Sequence, residues 1–320
     1  MKTNGCLIRR CGVLAGALLA SLAYGTALAQ PDYAIFLDSY PRGSLHLVEL
    51  PNLNDIKIVR SEPLALDIPR NLRRRFQVAN GDVHAEAGDR TMVFGGRTGS
   101  SASWDIYLAE VNVGTGVLEN VRPLVADRRV REEDPRFSWN GSQIVYKCDG
   151  KICLVNSDGT NAREIVVEPG CELWAPALDV TGFFVTYVQR CDGSGSDRIA
   201  WYAFDDPDPE NSPTIVPSEG DGPDRFPYFT PTGEIVYSHL DSDSETSSLW
   251  LHYPLYGTTE FLHSETDSDD DPYVYHADGT YVAFSGWGRD AYDLYIYNRG
   301  TKAAAQVTRG VNVLGTILFD

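Results

Sequence analysis

Apolar and polar residues along this chain recur in short blocks, never in long helical faces. A compact strand of β-branched and aromatic residues, such as Ile144-Val145-Tyr146, follows a tight turn carrying Gly. Such residues favour pleated, half-buried surfaces, and Gly supplies the positive φ that the turn needs. A polar loop leads to a second apolar strand, such as Ile152-Cys153-Leu154-Val155, and then to a short outer strand at Arg163–Val167. The block repeats. Asp134–Tyr146, Ala175–Tyr187, Phe226–Tyr237 and Asp271–Phe284 share one pattern, and Asp82–Phe94 is a copy without its Pro. The Pro residues at 135, 176, 227 and 272 lie 41, 51 and 45 positions apart. Four short strands per repeat at this spacing predict small sheets arranged radially.

The units fall near 83–125, 134–168, 175–217, 226–263 and 272–308. A further unit, with strands at Tyr33–Leu37, Leu45–Leu50 and Ile56–Val59, lacks its first strand. Asn312–Leu318 is an orphan strand, and it is expected to supply the missing one. The prediction is an all-β, six-bladed β-propeller with four-stranded blades, its ring closed by the C-terminal strand joining the first blade. The P-x-(F/L)-x-x-(D/N/T)-G-x-x-(I/V)-x-(Y/F) unit resembles the TolB-type propeller repeat, also called WD40-like or PD40. The N-terminal α/β domain of that family has no counterpart before Tyr33. The resemblance implies the fold and an exported location, and by analogy a role in the cell envelope.

Met1–Ala29 reads as a secretory signal peptide. Lys2, Arg9 and Arg10 precede an apolar stretch, and Ala27-Leu28-Ala29 forms a small-x-small cleavage site. Residues 30–320 are then one propeller domain in the periplasm or outside the cell. No later segment reaches the apolar length of a membrane span, so no stable membrane insertion is expected after cleavage.

The formal net charge is −18, which argues against nucleic acid as a partner. The charge is uneven: residues 30–170 carry −3 and residues 171–320 carry −18. Four cysteines follow the signal segment, and an oxidising compartment favours disulfides over free thiols or zinc. Cys171 and Cys191 are equidistant from Thr181 in a turn, and Cys148 and Cys153 flank a short loop. The expected bridges are Cys148–Cys153 and Cys171–Cys191.

Propeller geometry puts the Gly turns (Asn140-Gly141, Thr181-Gly182, Thr232-Gly233, Asp278-Gly279) on one face. The remaining loops lie on the other, the loop face, where binding is expected. Candidate partner-binding residues there are Arg97, Arg131, Trp174, Arg225, Trp287, Arg289 and Asp290. Arg and Trp commonly anchor interfaces, although Trp174 and Trp287 are equally suited to packing between blades. Asp267, Asp269, Asp270 and Asp271 share one acidic loop. Its carboxylates can hold Ca²⁺ or steer a basic partner. No other cofactor is expected. Arg70, Arg73, Arg74 and Arg75 read as a solvated crossover. No H-E-x-x-H, G-x-S-x-G or phosphate-binding glycine motif occurs. The expected function is a scaffold that binds an envelope or periplasmic protein. The alternative is a calcium-dependent binder or a funnel-site enzyme of lyase, lactonase or hydrolase type, for which His84 is the best single candidate.

Overall fold

In a computed structural model of the chain, the structure describes residues 33–37, 44–50, 62–67, 76–86, 89–99, 103–193, 196–205, 212–218, 220–242, 246–264, 274–277, 280–287, 291–311, 313 and 315–319. The expected signal segment Met1–Ala29, the basic run Arg70–Arg75, the strand expected at Ile56–Val59 and the expected Asp278-Gly279 turn lie outside the described residues.

Among the described residues, twenty-five strands form an all-β propeller of small sheets. Five sheets have four antiparallel strands. The first joins β1 (Tyr33–Leu37), β2 (Leu45–Glu49) and β3 (Glu62–Pro63), with β25 (Gly315–Phe319) paired to β1 along its length. The others are β9 (Glu132–Phe137) to β12 (Arg163–Val166), β13 (Cys171–Leu178) to β16 (Thr214–Ile215), β17 (Asp224–Phe229) to β20 (Thr258–Ser264), and β21 (Val274–Ala277) to β24 (Ala303–Gln306). The remaining sheet departs from the expected four strands. To β5 (Phe76–Glu86), β6 (Asp89–Thr98), β7 (Asp105–Asn112) and β8 (Val117–Val125) it adds β4 (Ala65–Leu66), which runs parallel to β8. The crossover from the first sheet delivers β4 to that outer edge.

Middle strands read as unbroken apolar runs because both of their faces are covered. On β10 (Gln143–Cys148), Ile144 and Tyr146 pack toward the β5–β8 sheet, while Val145 packs toward the β13–β16 sheet. Each neighbouring pair of sheets shares such a core. Ala34 and Phe36 of the first sheet likewise pack with Ala283 and Ile296 of the β21–β24 sheet.

The repeated Pro has a definite place. Asp134, Ala175 and Phe226 each precede it with φ near +50°, at 51°, 47° and 53°. The ladder slips at each point, between Val145 and Lys147, Trp174 and Ala177, and Arg225 and Tyr228. Pro has no N–H to donate and is tolerated at a bulge. At Pro135, Pro176 and Pro227 the motif therefore marks a kink in the first strand of the repeat, placed just below the loop face; Pro272 lies outside the described residues.

Candidate functional site: an ion-pair row on the loop face

The starts of three first strands, β9, β13 and β17, are each tied to the preceding sheet by one recurring backbone bond. Glu132 N–H donates to Trp104 C=O, Leu173 to Gly150, and Asp224 to Asp197, at 2.9–3.0 Å. These bonds fix the loop-face ends of four consecutive sheets, from β5–β8 to β17–β20, and the side chains beside them meet.

A row of alternating charges results. Arg131, which leads into β9, pairs with Glu133 at 2.7 Å. Lys147 lies directly opposite Glu133 across β9 and β10 and reaches it at 3.9 Å. The same ammonium crosses to the next sheet and pairs with Glu172 at 2.7 Å. Glu172 lies opposite Arg190 in the β13–β14 (Phe184–Cys191) ladder. Arg190 grips Asp197 with Nε and Nη2, at 2.6 and 2.9 Å, and Arg225 of β17 donates from Nε to the same carboxylate at 2.7 Å. Seven side chains thus cross three sheets, four cationic and three anionic. Asp197 is only 1% exposed and Arg190 is 54% exposed, so the anchor is buried and the guanidinium faces solvent. Burial pushes the Asp197 carboxyl up, but the hydrogen bonds from Arg190 and Arg225 prevail and hold it below the usual range. The Lys147 hydrogen bond holds Glu172 down in the same sense.

Two carboxyls lie beside this row. Asp224 is fully buried, accepts from or shares a proton with His239 Nδ1 at 2.8 Å, and lies 3.7 Å from Arg198. Arg198 in turn donates to Gly222 C=O at 2.6 Å. Glu132, at the same repeat position as Asp224, has no such partners. Burial pushes its carboxyl up to about 7, with Asp105, Asp127 and Asp149 adding to the rise.

Both expected disulfides are present. Cys148–Cys153 is buried, and Cys171–Cys191 joins directly opposite residues at the end of a ladder. The second bridge sits in a cleft of about 480 Å³ lined by Gly170, Cys171, Glu172, Arg190, Cys191, Asp192 and Gly193.

Of the residues singled out in the sequence, Arg131 and Arg225 belong to the row. Trp174 lies beside it on β13, edge-on to Phe226 at 5.4 Å, and joins an inter-sheet core. Arg97 is elsewhere, on β6, where it stacks over Trp104 at 4.4 Å and donates to Gln77. Trp287 ends β22 (Tyr281–Trp287). Arg289, Asp290, Asp267, Asp269, Asp270 and Asp271 lie outside the described residues. Among the described residues no group of His, Cys, Asp and Glu has the arrangement of a metal site. His84 is on β5, its ring 5.8 Å from Phe137, in contact with the space that a Cβ on Gly141 would occupy. That places it beside a Gly turn, away from the row. Sequence reading missed Glu133, Lys147, Glu172, Arg190 and Asp197. The signal available was opposite charges at matching ladder positions, which needs the register to be seen.

These features define a β-propeller with a charged loop face. The fold is TolB-like. The chain resembles TolB from Acinetobacter baumannii with a TM-score of 0.65 and 14% identity, over 99% of this chain and 74% of that one. A putative TolB from Agrobacterium tumefaciens gives 0.56 and 13% over 86% of this chain and 87% of that one. A chain of a nidogen/laminin complex gives 0.63 and 10% over 89% and 97%. No protein-family model matches the chain, and no curated protein matches it in sequence.

Proposed function

We propose that the chain is an exported propeller that binds a protein partner through its loop face, in the cell envelope. In this reading residues 1–29 direct export, residues 30–320 are a single domain, and the six sheets form a closed ring sealed by β25. The TolB-like fold supports the reading, as does the absence, among the described residues, of any helix long and apolar enough to cross a membrane. The observation that carries it is the ion-pair row. Isolated surface pairs contribute little to stability, about 0–1 kcal/mol each. Seven charges in a row across three sheets, of which Arg131, Glu172 and Arg190 are more than half exposed, make an oriented polar surface instead, which suits partner recognition and register.

The test is photo-crosslinking in the native compartment. A photoreactive residue at Arg131 or Glu172 is expected to capture a protein. The same residue at Phe183, exposed beside a Gly turn, is expected to capture none. Capture from Phe183 alone overturns the loop-face assignment.

The second reading, a hydrolase or lyase in the funnel, is favoured by the buried Asp224–His239 pair. Turnover of an ester, lactone or uronate panel that disappears in His239→Gln supports it.

A further inference from the structure

We infer that the Cys171–Cys191 bridge is a thiol-exchange site, opened by a dithiol whose attacking end is neutral or basic, and that opening it releases the joint between Glu172 and Arg190 in the ion-pair row. The inference goes beyond the loop-face reading and holds whatever that face binds.

Access is the first argument. Cys148 and Cys153 are 5% and 7% exposed and sit in an inter-sheet core with Phe137 and Ile144. Cys171 and Cys191 are partly exposed, and both line the cleft. Gly170 and Gly193 line it beside them and carry no side chain to cover the approach. A Cβ on Gly193 would meet open space, and one on Gly170 would meet only the Asp192 carboxylate, at 3.7 Å. Exchange needs a thiolate to reach a bridge sulfur, so the two bridges differ in the property that governs the reaction.

Charge is the second. The charged lining of the cleft is Glu172, Arg190 and Asp192, which is net acidic. Glu172 is engaged by Lys147 and Arg190 by Asp197. The exposed Asp192 carboxylate has no ion pair among the described residues. It repels an anionic thiol and spares a neutral or cationic one.

Position is the third. Cys171 and Cys191 lie opposite each other at the end of the β13–β14 ladder, and the next pair inward is Glu172 and Arg190. Through these two the row passes from Lys147 to Asp197. With the bridge closed, the strand ends that carry them are held together covalently. With it open, the hairpin end is free to fray. In the exchange, the attacking thiolate bonds to one bridge sulfur as the S–S bond breaks, and the other sulfur leaves as a thiolate. The donor's second thiolate then attacks the mixed disulfide. The donor departs as its own disulfide, two electrons reach the bridge, and the donor's two thiol protons end on Cys171 and Cys191.

The probes are cysteamine, 2-mercaptoethanol and 2-mercaptoethanesulfonate, which are cationic, neutral and anionic thiols. Each rate is taken relative to the same thiol's rate on a small-molecule disulfide, and alkylation with peptide mapping identifies the bridge opened. All three are expected to open Cys171–Cys191 first, the cationic thiol with the highest relative rate and the anionic thiol with the lowest. Asp192→Asn is expected to speed 2-mercaptoethanesulfonate about threefold and cysteamine by less, and added salt to narrow the spread. After selective opening with dithiothreitol, amide hydrogen exchange in peptides carrying Glu172 and Arg190 is expected to speed about tenfold, with β11 (Lys151–Asn156) unchanged. The double variant Cys171→Ser, Cys191→Ser is expected to show the same exchange pattern without any reductant. Opening of Cys148–Cys153 as fast or faster overturns the exchange site. Relative rates that ignore Asp192→Asn for every thiol overturn the selection by charge. Unchanged hydrogen exchange at Glu172 and Arg190 overturns the link to the row. None of these outcomes bears on the loop-face reading, which falls by capture from Phe183 alone.

Discussion

Glu132 and Asp224 occupy the same repeat position and meet different fates. Asp224 has His239 and Arg198 nearby, whereas Glu132 faces Asp105, Asp127 and Asp149. Burial, seconded by those charges, raises Glu132 to about 7 from an ordinary 4.5. Its folded state therefore holds the proton more tightly than the unfolded chain. The stabilising contribution is complete below about pH 4.5 and is lost as pH rises through about 7. Glu132→Gln should remove that slope, and thermal melts at pH 5 and pH 8 should show the variant gaining on the wild type at the higher pH, by up to about 3 kcal/mol. A pH-independent difference would mean that Glu132 is not the titrating group. Asp197 has the opposite character. Asp197→Ala leaves two guanidinium groups without their shared anion, and a loss of about 2 kcal/mol is expected in denaturant melts.

At the scale of elements, the Gly turns were legible from sequence and behave as the pattern requires. Gly141, Gly182 and Gly233 have φ of 67°, 72° and 86°. Their surroundings differ in a way no single sequence reveals. A Cβ on Gly233 meets open space, but one on Gly141 runs into the His84 ring. Gly233→Ala should cost about 1 kcal/mol, from backbone strain alone, and Gly141→Ala clearly more. The double variant Gly141→Ala, His84→Ala should recover part of the difference in chemical denaturation. The bridges were legible too, because a hairpin places Cys171 opposite Cys191. Their unequal exposure was not. Cys171–Cys191 borders the cleft and Cys148–Cys153 is buried. Limited dithiothreitol followed by alkylation and peptide mapping should label Cys171 and Cys191 first, since exchange requires access to sulfur.

Across the whole molecule, the repeat made the propeller visible because each unit carries its own turn, apolar strand and Pro. The ion-pair row stayed hidden for the complementary reason. Its members come from different units, and only sheet-to-sheet packing brings Lys147 to Glu172 or Asp197 to Arg225. The strand β4 was hidden as well, since two residues carry no periodicity. Pairing of β25 with β1 joins the last described strand to the first. Removing residues 315–320 should strip β1 of that neighbour and lower the melting temperature by about 10 °C or more, a cost of several kcal/mol for a chain of this size. An unchanged melt would show that β25 contributes little.

Glu62–Pro63 borders one sheet and Ala65–Leu66 the next, with buried Leu64 between them. Leu64 donates to Leu45, Ala65 to Gly116 and Asp67 to Leu118. A single short stitch thereby hems the outer rims of two neighbouring sheets, and it covers backbone groups on β8 that would otherwise invite another polypeptide to add a strand. The joint between these two sheets is fastened at its circumference, so these two blades are expected to part last if the sheets spread to admit a guest.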